Sequence, residues 1–277
     1  MIVVFGSLNA DPIFSVAALP SPGQILLAAG MTVGPGGKGA NQAVAAALDG
    51  TPVAMAGAVG QDALAATALA GLVAAGVDLS RVARCVEPTG CASICTDQAG
   101  RNQIVVAPGA NSMARAAAVE DGLLAPGAVL VTQMEADTAE TAAVIRRAAA
   151  RGARTIHNLA PAGPLAGDAL RMLDILVVNE DEASWLARHE GATGDDAAAL
   201  HGALGITVVR TLGGAGVEWA GPGTTGRFAA LHRGDSLADG VRRANVAAGL
   251  ACTRRGSQGS MPNAAQIAAA SATGCWA

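Results

Sequence analysis

Short runs of branched apolar residues alternate with alanine-rich stretches of helical length through most of this chain. That rhythm constrains the fold more than any other feature. A strand covered on both faces reads as an unbroken apolar run, and helices between such strands place them side by side in parallel. "IVVF" (2–5) is a run of this kind, and "GANQAVAAALDG" (39–50) reads as a helix ended by Gly50. "PVAMAGAVG" and "DALAATALAGLVAAG" repeat the pair. Further units are "AVLVTQ" (128–133) with a helix over 137–151, "RTIHNLAP" (154–161) with a short helix, "ILVVNEDEASWL" (175–186) and "ITVVRTLG" (206–213). A last long helix is expected from about Ser236 to Ala251. The pattern predicts an α/β three-layer sandwich around a central, mainly parallel sheet, with residues 1–277 in one domain.

Two stretches depart from this rhythm. Residues 11–34 and 89–107 alternate apolar and polar residues between turn signals, the second around "DQAGRN". Both predict antiparallel hairpins, which together would form a small β lid beside the main sheet.

Composition removes several classes of function. Net charge is −4 and aromatic residues are 2% with no tyrosine, so neither a basic face nor stacking platforms for nucleic acid are present. No apolar run reaches the roughly 20 residues that span a bilayer. The amino terminus "MIVVFGSLNAD" lacks a basic leader and reads as a strand, so a cytoplasmic protein is expected. Cys85, Cys91, Cys95, Cys252 and Cys275 are scattered. They read as small core thiols and not as a metal site, because no histidine accompanies them at ligand spacing. His157, His189, His201 and His232 share no motif with Ser, Cys or acids, and are assigned to packing or surface roles.

Of the 18 basic residues only Lys38 is a lysine, and it stands in "GPGGKGANQ" (34–42). A glycine loop running into a helix leaves backbone N–H groups at the positive end of the helix dipole, suited to an anion or a polar ligand. No Ser or Thr follows the lysine, so the order is not that of a P-loop. An ammonium is a compact point donor where a guanidinium is a wide fork, which fits a tight pocket. "GSLNADP" (6–12) follows the first strand, where ligands gather in open α/β sheets, and offers Asn9 and Asp11. Glu135 lies just past another strand end. Asn179 and Glu182, in "VVNEDEASWL", suit water-mediated Mg²⁺ near phosphates and equally suit a helix N-terminus.

These motifs, with "VAPGAN", "VVRTLGGAGV" and "RRANVAAGLACTRRGSQGSMP", resemble those of the ribokinase (phosphofructokinase-B-like) family of ATP-dependent sugar kinases, in the family's order and over nearly the whole chain. The resemblance implies that Asn9, Asp11, Gly37, Lys38, Asn41 and Glu135 line a sugar site. It implies that Asn179 and Glu182 position Mg²⁺ and phosphate, and that Thr211, Gly213, Gly216 and Asn245 flank ATP. Arg254, Gly256 and Ser260 match a K⁺ loop, and the lid implies a homodimer. The activity implied is phosphorylation of the 5-hydroxyl of D-ribose; the alternatives are an impaired sugar-binding relative or a kinase for another sugar or a nucleoside.

One family signature has no counterpart. A GAGD-type segment, carrying the catalytic aspartate and an anion hole, is expected between Gly216 and Asn245. The chain there reads "GVEWAGPGTTGRFAALHRGDSLADG". Asp235 reads as a helix N-cap before the last long helix, so the catalytic residue is unassigned.

Overall fold

The computed structural model describes residues 1–226, 237–254 and 256–272. The chain opens with β1 (Ile2–Phe5), followed by β2 (Asn9–Ser15), β3 (Gly30–Gly36) and α1 (Lys38–Leu48). β4 (Val53–Gly60), α2 (Leu64–Ala74) and β5 (Asp78–Cys85) come next, then β6 (Cys91–Thr96) and β7 (Asn102–Ala107). The alternation resumes with β8 (Val129–Gln133), α3 (Thr138–Ala150), β9 (Arg154–Asn158), α4 (Gly167–Arg171), β10 (Ile175–Val178) and α5 (Glu180–Glu190). It ends with α6 (Ala197–Leu204), β11 (Thr207–Thr211), β12 (Val217–Gly221), β13 (Thr224–Gly226), α7 (Leu237–Cys252) and α8 (Ala264–Ala272).

Nine strands form one sheet in the order β13-β12-β11-β10-β9-β8-β1-β4-β5. All neighbours from β5 to β11 are parallel, and β12 and β13 close that edge antiparallel. Strand side chains alternate between two cores. Val3, Phe5, Leu130, Leu176 and Val178 meet α3 to α6 on one face. Ile2, Val4 and Met55 meet α1 and α2 on the other, where Val241 of α7 also packs on Ile175, Val209 and Trp219. Burying each such side chain contributes about 1.5–3 kcal/mol.

β1 lies between β4 and β8. The chain therefore leaves β1 toward one side of the sheet and later returns on the other. Ligands in open α/β sheets collect at such a reversal, outside the carboxyl ends of the strands. Above it stands the second sheet, ordered β3-β2-β6-β7. It is built from the two expected hairpins, joined by a parallel β2–β6 pairing.

The sequence pattern missed β5, α6, β12, β13 and α8. β5 is an edge strand whose charged residues pair sideways, Arg81 with Asp78 and Glu120; it is exposed or half-buried along its length and shows no apolar run. One reading needs correction. Cys85, Cys91 and Cys95 are half-buried and Cys252 is exposed, so none of these four is a core thiol. Cys91 and Cys95 instead share one face of β6 in the small sheet. Cys275, His232 and Asp235 lie outside the described residues. Among the described residues, no helix is long and apolar enough to cross a membrane.

Candidate active site

At the reversal, the carboxyl ends of β1 and β8 bring Ser7 and Glu135 together. Ser7 Oγ donates to Glu135 Oε2 at 2.6 Å, and the backbone N–H of Lys38 donates to the same oxygen at 3.0 Å. Gly39 N–H donates to Ser7 Oγ at 3.2 Å and Ala40 N–H to the Ser7 carbonyl at 2.9 Å. The first N–H groups of α1 are therefore engaged by the protein itself. This corrects the expectation of a main-chain anion site at the glycine loop: a carboxylate already sits at the positive end of the helix, and Ser7 completes the cap.

The glycines at this turn permit a close approach of backbone to backbone. Gly37, at φ +89°, would place a Cβ 2.9 Å from both Asn9 N and Ser7 O, and a Cβ on Gly39 would lie 2.7 Å from Ser7 N. They let α1 start directly against the loop after β1. The Lys38 ammonium stands 3.9 Å from Glu135 Oε1 with its side chain 38% exposed. It also acts electrostatically on Glu182, holding that carboxyl down against burial. Lys38 is thus coupled to both acids.

Asn9 is buried and faces Asn111, whose Nδ2 donates to Asn9 Oδ1 at 2.8 Å. Asn9, Asn111 and Glu135 line a cavity of about 310 Å³, with Val106 of β7, Met134, Asp137 and Pro161 among its other walls. Asp11 of β2, Gly37 at the cap of α1, and Lys38 and Asn41 of α1 are outside that lining. Asp11 accepts from Ala92 N at 2.9 Å. Burial pushes its carboxyl above the usual range, Ala92 opposes this, and the Glu135 charge adds to the rise. Asn41 Oδ1 accepts from Gln258 Nε2 at 3.0 Å, which ties α1 to the loop after α7.

The second strand-to-helix turn behaves differently. Asn179 Oδ1 accepts from Glu182 N, and Glu182 Oε2 accepts from Asn179 N, both at 2.8 Å. This is a reciprocal capping box at the start of α5. Of the two uses open to these residues, the helix N-terminus is the one the geometry displays. Burial raises the Glu182 carboxyl above its ordinary value, while the Asn179 N–H lowers it. Thr211 ends β11, and Gly213 and Gly216, at φ +52° and +95°, bound the turn into β12. Asn245 lies one helical turn beyond Val241 on α7, on the side that packs against Val209 of β11. Ser260 Oγ donates to the Ser257 carbonyl at 2.7 Å, Gly256 has φ +97°, and Arg254 reaches Gln266 at 3.4 Å.

The three described histidines take packing or surface positions. Buried His157 pairs with Thr132 Oγ1 at 2.8 Å, and burial depresses its pKa to about 3, so the ring is neutral. His189 stacks on Trp185, and His201 Nδ1 meets the Ile206 carbonyl. Sequence reasoning missed Ser7, Asn111 and Gln258. "GSLNAD", "VAPGAN" and "GSQGS" flagged their neighbourhoods without indicating which side chains meet.

A profile described as "pfkB family carbohydrate kinase" matches residues 1–231. The ribokinase of Haemophilus influenzae is 32% identical over 292 aligned positions, covering 94% of this chain and 95% of the relative. That alignment is longer than the chain's 277 residues, so the relative carries residues without a counterpart here. Among solved structures, the ribokinase of Thermotoga maritima matches with a TM-score of 0.88 at 27% identity, covering 98% of this chain and 99% of that one. Arabidopsis thaliana ribokinase complexed with ribose and ATP matches with a TM-score of 0.81 at 27% identity, covering 97% of each chain. The protein belongs to the pfkB family of carbohydrate kinases. The resemblance drawn from its motifs, and the layered α/β fold that it implied, both stand.

Proposed function

We propose that the chain phosphorylates the 5-hydroxyl of D-ribose with ATP, holding the sugar at the cavity between the carboxyl ends of β1 and β8. The observation that carries this reading is the convergence of Asn9, Glu135 and Lys38 at the strand-order reversal, in a chain whose relatives include ribokinases. Asn9 offers an amide, and Asp11 and Glu135 offer carboxylates to hydroxyl protons. Lys38 offers a point donor to a hydroxyl oxygen, and Asn41, tied by Gln258, braces the wall behind it. Hydroxyl-rich ligands are recognised by such sets of orienting polar groups.

ATP would extend along the sheet toward β11, with Thr211, Gly213, Gly216 and Asn245 beside it. Glu182 fits an outer-sphere holder of Mg²⁺. Its Oε2 is engaged by Asn179, its carboxyl is disfavoured as an anion by burial, and a divalent ion nearby would relieve that. When bound, Mg²⁺ neutralises charge on the phosphate oxygens. Lys38, paired with Glu135 and acting electrostatically on Glu182, would hold the sugar side of the gap in register with the phosphate side. The Arg254–Ser260 loop is assigned to K⁺, the small sheet to a homodimer contact, and the cytoplasm to the protein's location.

No GAGD-type sequence stands between Gly216 and Asn245, so the proton acceptor is unassigned. Loss of general-base assistance slows transfer by roughly 10²–10⁴. Ribose titration by calorimetry, paired with ribose-dependent ADP release under Mg²⁺ and ATP, tests both parts. Ribose binding with slow but ribose-dependent ADP release is expected. Failure to bind ribose would overturn the substrate, ADP release no faster than without ribose would overturn the transfer, and rapid turnover would show that another group takes the proton.

A further inference from the structure

Asn111 sits where the lid returns to the main sheet, in the turn Gly109–Met113, and is 1% exposed. Its Oδ1 accepts from the backbone N–H of Leu8 at 2.8 Å. A backbone N–H only donates, so this contact fixes which end of the Asn111 carboxamide is oxygen. The Nδ2 end must then face Asn9, and Asn9 must answer with Oδ1, at 2.8 Å. The donor end of Asn9 is left to point elsewhere, and both residues line the 310 Å³ cavity with Glu135.

The arrangement has no room to rearrange. A Cβ on Gly90 would lie 2.2 Å from Asn111 Nδ2 and 2.5 Å from Asn9 Oδ1. Ala10 N–H donates to the Gly90 carbonyl at 3.0 Å, and Ala110 N–H to the Pro88 carbonyl at 2.7 Å. The loop after β1 and both lid connections through 88–90 and 108–111 therefore close around the two amides.

We infer that Asn111 is a positioning residue that fixes Asn9 as a hydrogen-bond donor toward the sugar, so that the site reads an acceptor oxygen there. The inference rests on the ribose reading above and deepens it. The carboxylates of Glu135 and Asp11 accept only, while Asn9 donates. A hydroxyl held between them would accept from Asn9 and direct its own proton to a carboxylate, which sets its rotation and that of the ring carrying it.

Asn111→Asp tests this, because it keeps an oxygen for Leu8 N–H and turns a second oxygen toward Asn9. The Asn9 amide would then reverse and present its oxygen to the cavity. Ribose affinity should fall by about tenfold or more. The diagnostic readout uses monodeoxy and monofluoro riboses, modified at the hydroxyl whose removal weakens binding most in the unaltered protein. Fluorine only accepts, so the fluoro sugar should bind the unaltered protein better than the deoxy sugar, and Asn111→Asp worse. Asn111→Ser, which frees Asn9 without adding charge, should bring the two sugars together, and this comparison decides the matter if the aspartate variant fails to fold. An unchanged ranking in a folded variant would overturn the inference. If the unaltered protein binds no ribose, the substrate reading has failed, and this inference falls with it.

Discussion

The starts of α1 and α5 solve one problem in opposite ways. Each is a helix that begins just past a strand, with leading N–H groups in need of partners. At α5 the partners are local: Asn179 and Glu182 cap each other three residues apart. At α1 no local side chain caps the helix. Its partners are Ser7, from the loop after β1, and Glu135, which is 97 residues away from Lys38 in sequence. A locally capped helix stands whether or not a site is assembled around it. A helix capped from a distance makes its own start depend on the site, so under the proposed function sugar binding and stability would be coupled at α1 and separate at α5.

The strongest way to break this contrast is Glu135→Ala. It strands Ser7 Oγ–H and Lys38 N–H together, at about 1–3 kcal/mol for each buried group left unpaired. Urea denaturation should show a loss of about 2–4 kcal/mol, and calorimetry should show ribose binding abolished. Loss of one without the other would separate what the geometry joins. Lys38→Arg sharpens the point by leaving the backbone N–H in place. Ribose affinity should drop about tenfold while the melting temperature stays put, since a guanidinium needs more room than an ammonium.

Asn179→Ala is the complementary probe. Losing the cap should lower stability by about 1 kcal/mol and leave ribose affinity as it was. A large change in sugar binding would show that α5 is not insulated from the sugar side. The smallest effect is expected from Asp11→Asn, read against pH. Burial raises the Asp11 carboxyl when folded, so the folded state binds that proton more tightly than the unfolded one. Stability from this group is therefore present at low pH and declines as pH climbs above the ordinary carboxylate range through the raised value. The variant should flatten that decline in denaturation curves collected from about pH 4 to 7. An unaltered slope would assign the decline to another group.

The same contrast explains what the sequence made legible. Runs such as "IVVF" and "ILVV" carry their burial in their composition, and the two hairpins were marked by turn residues between short alternating runs, although β7 is exposed along its whole length, so the layers and the lid could be read directly. The capping residues of α5 were visible because three-residue spacing is enough to define them. The cap of α1 was not visible. Ser7 and Glu135 are 128 residues apart, and Asn111 and Asn9 are 102 apart. Nothing in either neighbourhood reports the other, and "GGKG" read alone suggested free N–H groups that the fold has already filled. β5 went unread because an edge strand guarded by Arg81 has no apolar run to display.

Asp62 gives the lid a mechanical character. Its Oδ1 accepts from Leu64 N and Ala65 N at the start of α2 and from Thr89 Oγ1, while its Oδ2 accepts from Thr89 N at 2.7 Å. One carboxylate thus clamps the root of the small sheet to the first turn of a core helix. A swing that dragged Thr89 outward would unwind that turn with it. The small sheet is in this respect a cantilever, bolted to the helix at its root.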